Sequence, residues 1–303
     1  MSYESVLEQI TLSDEKFVVL TSENRAAIRN LPEKLGNRFV DVGIMEQGMI
    51  GAAAGLALRG RTPILHALAA FLTMRSYEFA RTDIGLPGLP VKLVGSVAGF
   101  FSEANGPTHQ AIEDVGLMAN IPNMNVFCPA DEQDLLIGLP PVLNSPEPYY
   151  IRFNNRPAVF EHSSQFEPGK AETVFYGNDL TILVYGFLFT EALEAQRILA
   201  SQGLSVRLIN LRTVKPLDNA AILRATQETK LLVTLEDHFL SNGLFSIISQ
   251  LLVRQGLAVP VLPLALENKW FRPGLLPDVL EYEGFTGTHI ANRILAAFQK
   301  INE

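Results

Sequence analysis

Three short segments gather the side chains able to move protons or stabilise developing charge. The first is Asp41-Val42-Gly43-Ile44-Met45-Glu46-Gln47-Gly48, where an apolar strand ends at a glycine and a lone carboxylate opens a helix. A Glu in a first helical turn complements the helix dipole, and that alone explains it. The neighbouring Ile44, Met45, Met49 and Ile50 instead suggest an apolar pocket, in which a carboxyl group becomes fit for acid–base work. The second segment is Asn105-Gly106-Pro107-Thr108-His109-Gln110, with Glu113 and Asp114 following. Gly106-Pro107 fixes a turn, and His109 is expected to project from the start of the next helix. Loops after strands are where open α/β sheets place ligands, although a structural histidine is as good an account. The third is Glu236-Asp237-His238 with Ser241-Asn242-Gly243-Leu244. Adjacent strand residues point to opposite faces, so these three make a poor metal set and suit a structural or interface role better. His66, His162 and His289 have no nameable partner in the sequence.

The elements that must position these residues alternate short apolar, β-branched runs with helical patterns, as in α/β proteins with parallel sheets. Strands are expected near 17–21, 39–42, 63–65, 91–97, 125–128 and 149–152, then near 180–185, 205–210, 231–235 and 259–264. A helix over about 46–59 carries Gly48, Gly51, Ala52, Ala53, Ala54 and Gly55, which suits close packing against another backbone. Further helices are expected near 190–201, after Asp218, after Gly243 and over 288–300. A polar stretch with Pro157, Pro168, Gly169 and Gly177 marks a boundary near residue 165. The expected fold is α/β in two consecutive domains, 1–165 and 166–303, each a mainly parallel sheet flanked by helices.

With 303 residues, 48% hydrophobic and 18% charged, the chain has ample material for two buried cores. Its net charge is −8 and no run of five like charges occurs, which argues against nucleic-acid or polybasic membrane binding. Cys128 stands alone, so neither an internal disulfide framework nor a cysteine zinc cluster is possible. The first residues lack the basic and apolar regions of a signal peptide, and no apolar run is long enough for a membrane span, so a cytoplasmic protein is expected. Dinucleotide-binding, P-loop and nucleophile-elbow sequences are missing.

Taken in order, these segments resemble the C-terminal half of transketolase-type, thiamine-diphosphate-dependent enzymes, nearly end to end. Arg38-Phe39-Val40-Asp41-Val42-Gly43-Ile44-Met45-Glu46-Gln47 is similar to the segment that carries the family's glutamate. Gly106-Pro107-Thr108-His109-Gln110 with Glu113-Asp114 resembles the family's substrate-contacting histidine loop. Pro122-Asn123-Met124 and Cys128-Pro129-Ala130-Asp131-Glu132 match the strand and helix after it, and Thr234-Leu235-Glu236-Asp237-His238 with Asn242-Gly243-Leu244 resembles the marker of the C-terminal domain. The resemblance implies ketol transfer from a ketose to an aldehyde, with the cofactor as electron sink. It implies that Glu46 and His109 are catalytic. Glu46 bonds N1′ of the aminopyrimidine, Phe71 packs against that ring, and Arg75 and Tyr77 line the same pocket. Asn105, His109 and Arg152 are implied as substrate contacts, with Asn105 in place of a family aspartate, Arg152 as the phosphate-binding arginine and Arg156 as a second cation. Ala27 aligns with a family serine and Val97 with a family histidine, both phosphate ligands, so a substrate other than a standard pentose phosphate is expected.

No Gly-Asp-Gly motif occurs, so no metal ligand is expected in this chain. Magnesium and the diphosphate would be held by an N-terminal transketolase subunit, in an α2β2 assembly. The Met1 start and two-domain length favour a natural split subunit over a truncation. Three other readings remain: the β subunit of a 2-oxo-acid dehydrogenase, a 1-deoxyxylulose-phosphate-synthase-like enzyme, and a silent regulatory subunit.

Overall fold

The computed structural model describes residues 1–302. The chain forms two compact units, Met1–Ala98 with Asp114–Glu167, and Gly99–Glu113 with Pro168–Glu303.

In the first unit the strands are β1 (Phe17–Thr21), β2 (Phe39–Asp41), β3 (Thr62–Leu68), β4 (Lys92–Ser96), β5 (Asn125–Phe127) and β6 (Tyr149–Arg152). They run in the order β5-β6-β4-β3-β1-β2, all parallel, with Thr21 opposite His66 and Gly95 opposite Arg152. A parallel sheet is covered on both faces, so its strands read as unbroken apolar runs. Phe17-Val18-Val19-Leu20 is one such run, buried throughout. The helices are α1 (Tyr3–Ser13), α2 (Leu31–Leu35), α3 (Glu46–Leu58), α4 (Tyr77–Phe79), α5 (Asp114–Ala119) and α6 (Glu132–Asn144). Helix α1, which the sequence reading did not anticipate, starts at a capping box between Ser2 and Ser5. Its Tyr3, Val6 and Leu7 join Phe17, Ile64, Phe127, Leu139 and Tyr149 in the core. Two π-helical segments, Phe71–Arg75 and Ala80–Gly85, flank α4.

In the second unit β7 (Glu172–Phe175), β8 (Leu180–Val184), β9 (Val206–Asn210), β11 (Leu231–Phe239) and β12 (Val261–Leu266) form a sheet in the order β12-β11-β8-β9-β7, with a short β10 (Thr213–Lys215) between β9 and β11 in sequence. Only β7 runs antiparallel in this sheet. The sequence reading missed β7, because its side chains are only half-buried and its run is short. The helices are α7 (Phe189–Ser201), α8 (Asn219–Glu228), α9 (Leu244–Arg254), α10 (Leu276–Glu283) and α11 (Gly287–Asn302). The two-domain α/β architecture is therefore as expected. The chain passes from the first unit to the second at Glu167 and Pro168, and residues 99–113 also cluster with the second unit. Phe100 accounts for this: it is fully buried and its ring meets Phe187, Phe271 and Phe285 edge-on. No helix among the described residues is long and apolar enough to cross a membrane.

Candidate functional site

Chain entry into α3 is fixed before the helix begins. Gly43 turns the backbone at φ +72°, and Ser22, just past β1, donates its hydroxyl to the Gly43 carbonyl at 2.6 Å. The same Ser22 Oγ accepts the Met45 N–H at 3.0 Å. Glu46 is then the first helical residue, and only 2% of it is exposed. A carboxylate favoured only by the helix dipole would be free to point into water. This one is buried and receives the Arg75 guanidinium on Oε2 at 2.9 Å. Its Oε1 takes no hydrogen bond among the described residues.

Arg75 reaches Glu46 from the end of the π-helical segment. A π-turn changes the angular offset between residues, and such turns gather at functional sites. Here it places the Arg75 guanidinium carbon 3.8 Å from the centroid of the Phe71 ring. Gln47 Nε2 donates to the Arg75 carbonyl at 3.4 Å, tying α3 to the same turn. Glu46, Phe71 and Arg75 are thus brought together. Tyr77 opens α4 half-buried, and its hydroxyl makes no hydrogen bond among the described residues.

Asn105 and His109 lie in the second unit. Asn105 ends a distorted turn over Gly99–Asn105, and it is exposed. His109 does not start a helix, contrary to expectation. Its N–H closes onto the Gly106 carbonyl at 3.0 Å, with Gly106 at φ +81°, and α5 begins only at Asp114. Its Nδ1 lies 2.9 Å from Thr108 Oγ1.

Two residues considered for anion binding lie against other groups of the first unit. Arg152 is 4% exposed, and its Nε donates to Asp114 Oδ2 at 2.9 Å, so its charge is already matched inside the first unit. The Tyr150 hydroxyl donates to the same oxygen at 2.7 Å, and burial, with Asp114 beside it, pushes that phenol's pKa well up. Ala27 is half-buried and packs against the core of the first unit. Val97, in contrast, holds φ +60° just past β4, a strained setting for a β-branched residue and one that clusters at functional sites.

Glu236, Asp237 and His238 are all fully buried. Glu236 accepts the N–H groups of Leu244 and Phe245 at 2.5 and 2.9 Å, capping α9. No cluster of three or more potential metal ligands occurs among the described residues. Sequence reasoning missed Ser22, whose only signal was its place at a strand end, and Gln110, whose role needs Phe271 from far along the chain.

Comparison with known proteins settles the family. Residues 2–157 match the transketolase pyrimidine-binding domain, and residues 169–290 match the transketolase C-terminal domain. The chain belongs to the transketolase family. It is 35% identical to the 6-deoxy-6-sulfo-D-fructose transketolase subunit SqwH of Clostridium sp. (strain MSTE9), across 100% of this chain and 94% of that protein. It is 30% identical to an apulose-4-phosphate transketolase subunit of Phocaeicola vulgatus, across 88% of this chain and 87% of that one. The 1-deoxy-D-xylulose-5-phosphate synthase of Dictyoglomus thermophilum is 33% identical over 89% of this chain, which spans only 44% of the synthase. A solved split gene transketolase, described as an inactive beta4 tetramer, superposes with a TM-score of 0.88 at 31% identity, over 99% of this chain and 96% of the other. The chain is accordingly a subunit of split-transketolase type, and the family implies thiamine diphosphate.

Proposed function

We propose that the chain supplies the aminopyrimidine half of a thiamine-diphosphate site and acts with an N-terminal subunit that holds the diphosphate and magnesium. The observation that carries this reading is Glu46: a buried carboxylate at a helix start with one oxygen still open to a donor. Phe71, one turn from Arg75, offers the flat apolar face that such a ring needs. The residues present fit the group on both counts. When bound, thiamine diphosphate supplies an electron sink for breaking and forming the bond next to a ketose carbonyl. Glu46 holds a proton at N1′ and so sets the protonation state of the ring. His109 and Asn105 hydrogen-bond the oxygens of the donor, with Tyr77 lining the pyrimidine side. The reaction moves a two-carbon ketol unit from a ketose to an aldehyde.

The N-terminal subunit would dock on the exposed stripe of α3. Ile44 and Met45 just before it and Gly48, Ala52, Gly55 and Leu58 on it are all exposed, and a Cβ at Gly55 would meet no other backbone within 4 Å. An assembly of two copies of each subunit follows from family sites shared between protomers. The inactive beta4 state of the solved relative is what such a chain would form without that subunit.

A preference for a ketose other than a standard pentose phosphate rests on Ala27, Val97 and Asn105, with Arg152 as the remaining anion contact. The names of the relatives include both a sulfonated and a phosphorylated ketose.

The test is a thiamine diphosphate and magnesium titration of the chain alone and with its N-terminal subunit. The chain alone should bind weakly and turn over nothing, while the pair should transfer ketol units. Substantial transfer by the isolated chain would end the split-site reading. Competition between xylulose 5-phosphate and sulfonated or unphosphorylated ketoses then reads specificity. A kcat/KM for xylulose 5-phosphate far above the rest would end the substrate proposal.

A further inference from the structure

The segment 99–113 carries both Asn105 and His109, and within its own unit it is held by the C-terminal sheet, its loops and α10. At its start, Phe100 is buried among Phe187, Phe271 and Phe285, and its N–H points to Asp237 Oδ2 at 3.4 Å. Near its end, the Ile112 carbonyl accepts the Phe239 N–H at 2.9 Å, just past His238. The two ends are closed on each other by the Gly99 N–H and the Ala111 carbonyl, also at 2.9 Å.

Between those clamps, Gln110 tethers the loop deep in the unit. It is fully buried, and its Nε2 donates to the Phe271 carbonyl at 2.8 Å. Its Oε1 has no hydrogen-bond partner among the described residues. A buried acceptor left open is a cost that folds rarely carry without return. The strand end that serves the loop is itself rigid: Glu236 caps α9, and a Cβ at Gly243 would sit 2.1 Å from Glu236 Oε2.

We propose that Gln110 and the Asp237–Phe239 strand end are positioning residues for His109, so that the C-terminal unit sets the geometry of donor recognition. The proposal rests on the reading of His109 as a donor contact. Loops that hold reacting groups must keep them within fractions of an ångström, which needs this kind of support from a rigid element.

The test uses the chain reconstituted with its N-terminal subunit and compares Gln110→Met with wild type. Methionine keeps the volume and removes the donor to Phe271. The KM for the ketose donor should rise at least tenfold, and amide hydrogen exchange across 99–113 should speed up. The affinity for thiamine diphosphate should stay within twofold, because Gln110 is no part of the Glu46–Phe71–Arg75 group. Asp237→Asn weakens the other clamp at constant shape and should move the same two readouts, which keeps the test alive if Gln110→Met fails to fold. Unchanged exchange and KM overturn the proposal, as does a cofactor affinity that falls in step with KM. His109→Ala is run alongside. If it leaves the donor KM unmoved, the substrate role of the loop has failed and takes the proposal with it, while faster exchange in Gln110→Met would show that the tether itself was real.

Discussion

Glu46 is set in place by a backbone device and met by a charge. Ser22 and Gly43 deliver it to the start of α3, and Arg75 meets it there at 2.9 Å. Glu46→Ala should abolish turnover in the reconstituted enzyme while circular dichroism and size-exclusion profiles stay unchanged, since positioned acid–base groups contribute about 10²–10⁴-fold. Retention of more than about a tenth of the rate, outside that range, would show that Glu46 is only a helix-terminus carboxylate. At this scale the sequence was informative where a residue stood in a local motif. Glu46, Phe71 and Arg75 could all be singled out, and the structure brings them together. The pairing of Arg152 with Asp114 was not legible, because the two lie on different elements and pairing across elements leaves no trace in spacing.

The elements were legible wherever burial imposed a period. Fully buried strands such as β1 announce themselves as apolar runs. Edge strand β7 does not, and neither does the departure of residues 99–113, which depends on aromatic partners as far away as Phe285. Gly243 shows what an element boundary can require. Its φ of −86° is open to any residue, so the demand is purely one of space. An added Cβ would lie 2.1 Å from Glu236 Oε2, 2.7 Å from His238 Nδ1 and 2.8 Å from the Phe239 carbonyl. Gly243→Ala should therefore destabilise the second unit by about 1–3 kcal/mol, as overpacking does. Denaturant unfolding checks this; a variant as stable as wild type would mean the α9 cap has slack.

For the molecule as a whole, two buried bases in the first unit give stability a pH dependence of one sign. Burial lowers the pKa of His66 to about 3, and its Nε2 lies 2.8 Å from the Tyr3 hydroxyl. Burial also lowers Lys92 to about 7, although its Nζ donates to the Ser145 carbonyl at 2.8 Å. Above pH 6.5 His66 is neutral in both folded and unfolded chains, so its contribution is complete. Below that the unfolded chain gains a proton that the folded one refuses until about pH 3, and stability falls. At pH 5 the loss is about 2 kcal/mol. Lys92 acts likewise between the ordinary lysine pKa of 10.5 and about 7, where stability falls as pH falls. His66→Gln should flatten the acid limb of a stability–pH curve, and Lys92→Met the alkaline one. Identical curves for variant and wild type would mean that water reaches these groups.

Arg75 stands over Phe71 and against Glu46 at the same time, so on the proposed reading it fills the pocket until the cofactor arrives. The proposed ring would stack on Phe71, where Arg75 now stands, while bonding the open Oε1 of Glu46, so loading would exchange the guanidinium for the ring over Phe71. Without the guanidinium, the unloaded chain would keep a carboxylate that is 3% exposed and uncompensated. Arg75→Met should therefore lower the stability of the unloaded chain by about 1–2 kcal/mol, less than a wholly buried pair because Arg75 itself is 40% exposed. The thermal upshift on adding thiamine diphosphate and the N-terminal subunit should then be larger in the variant than in wild type, as the incoming ring restores what the substitution removed. Equal upshifts would mean that the arginine never yields its place.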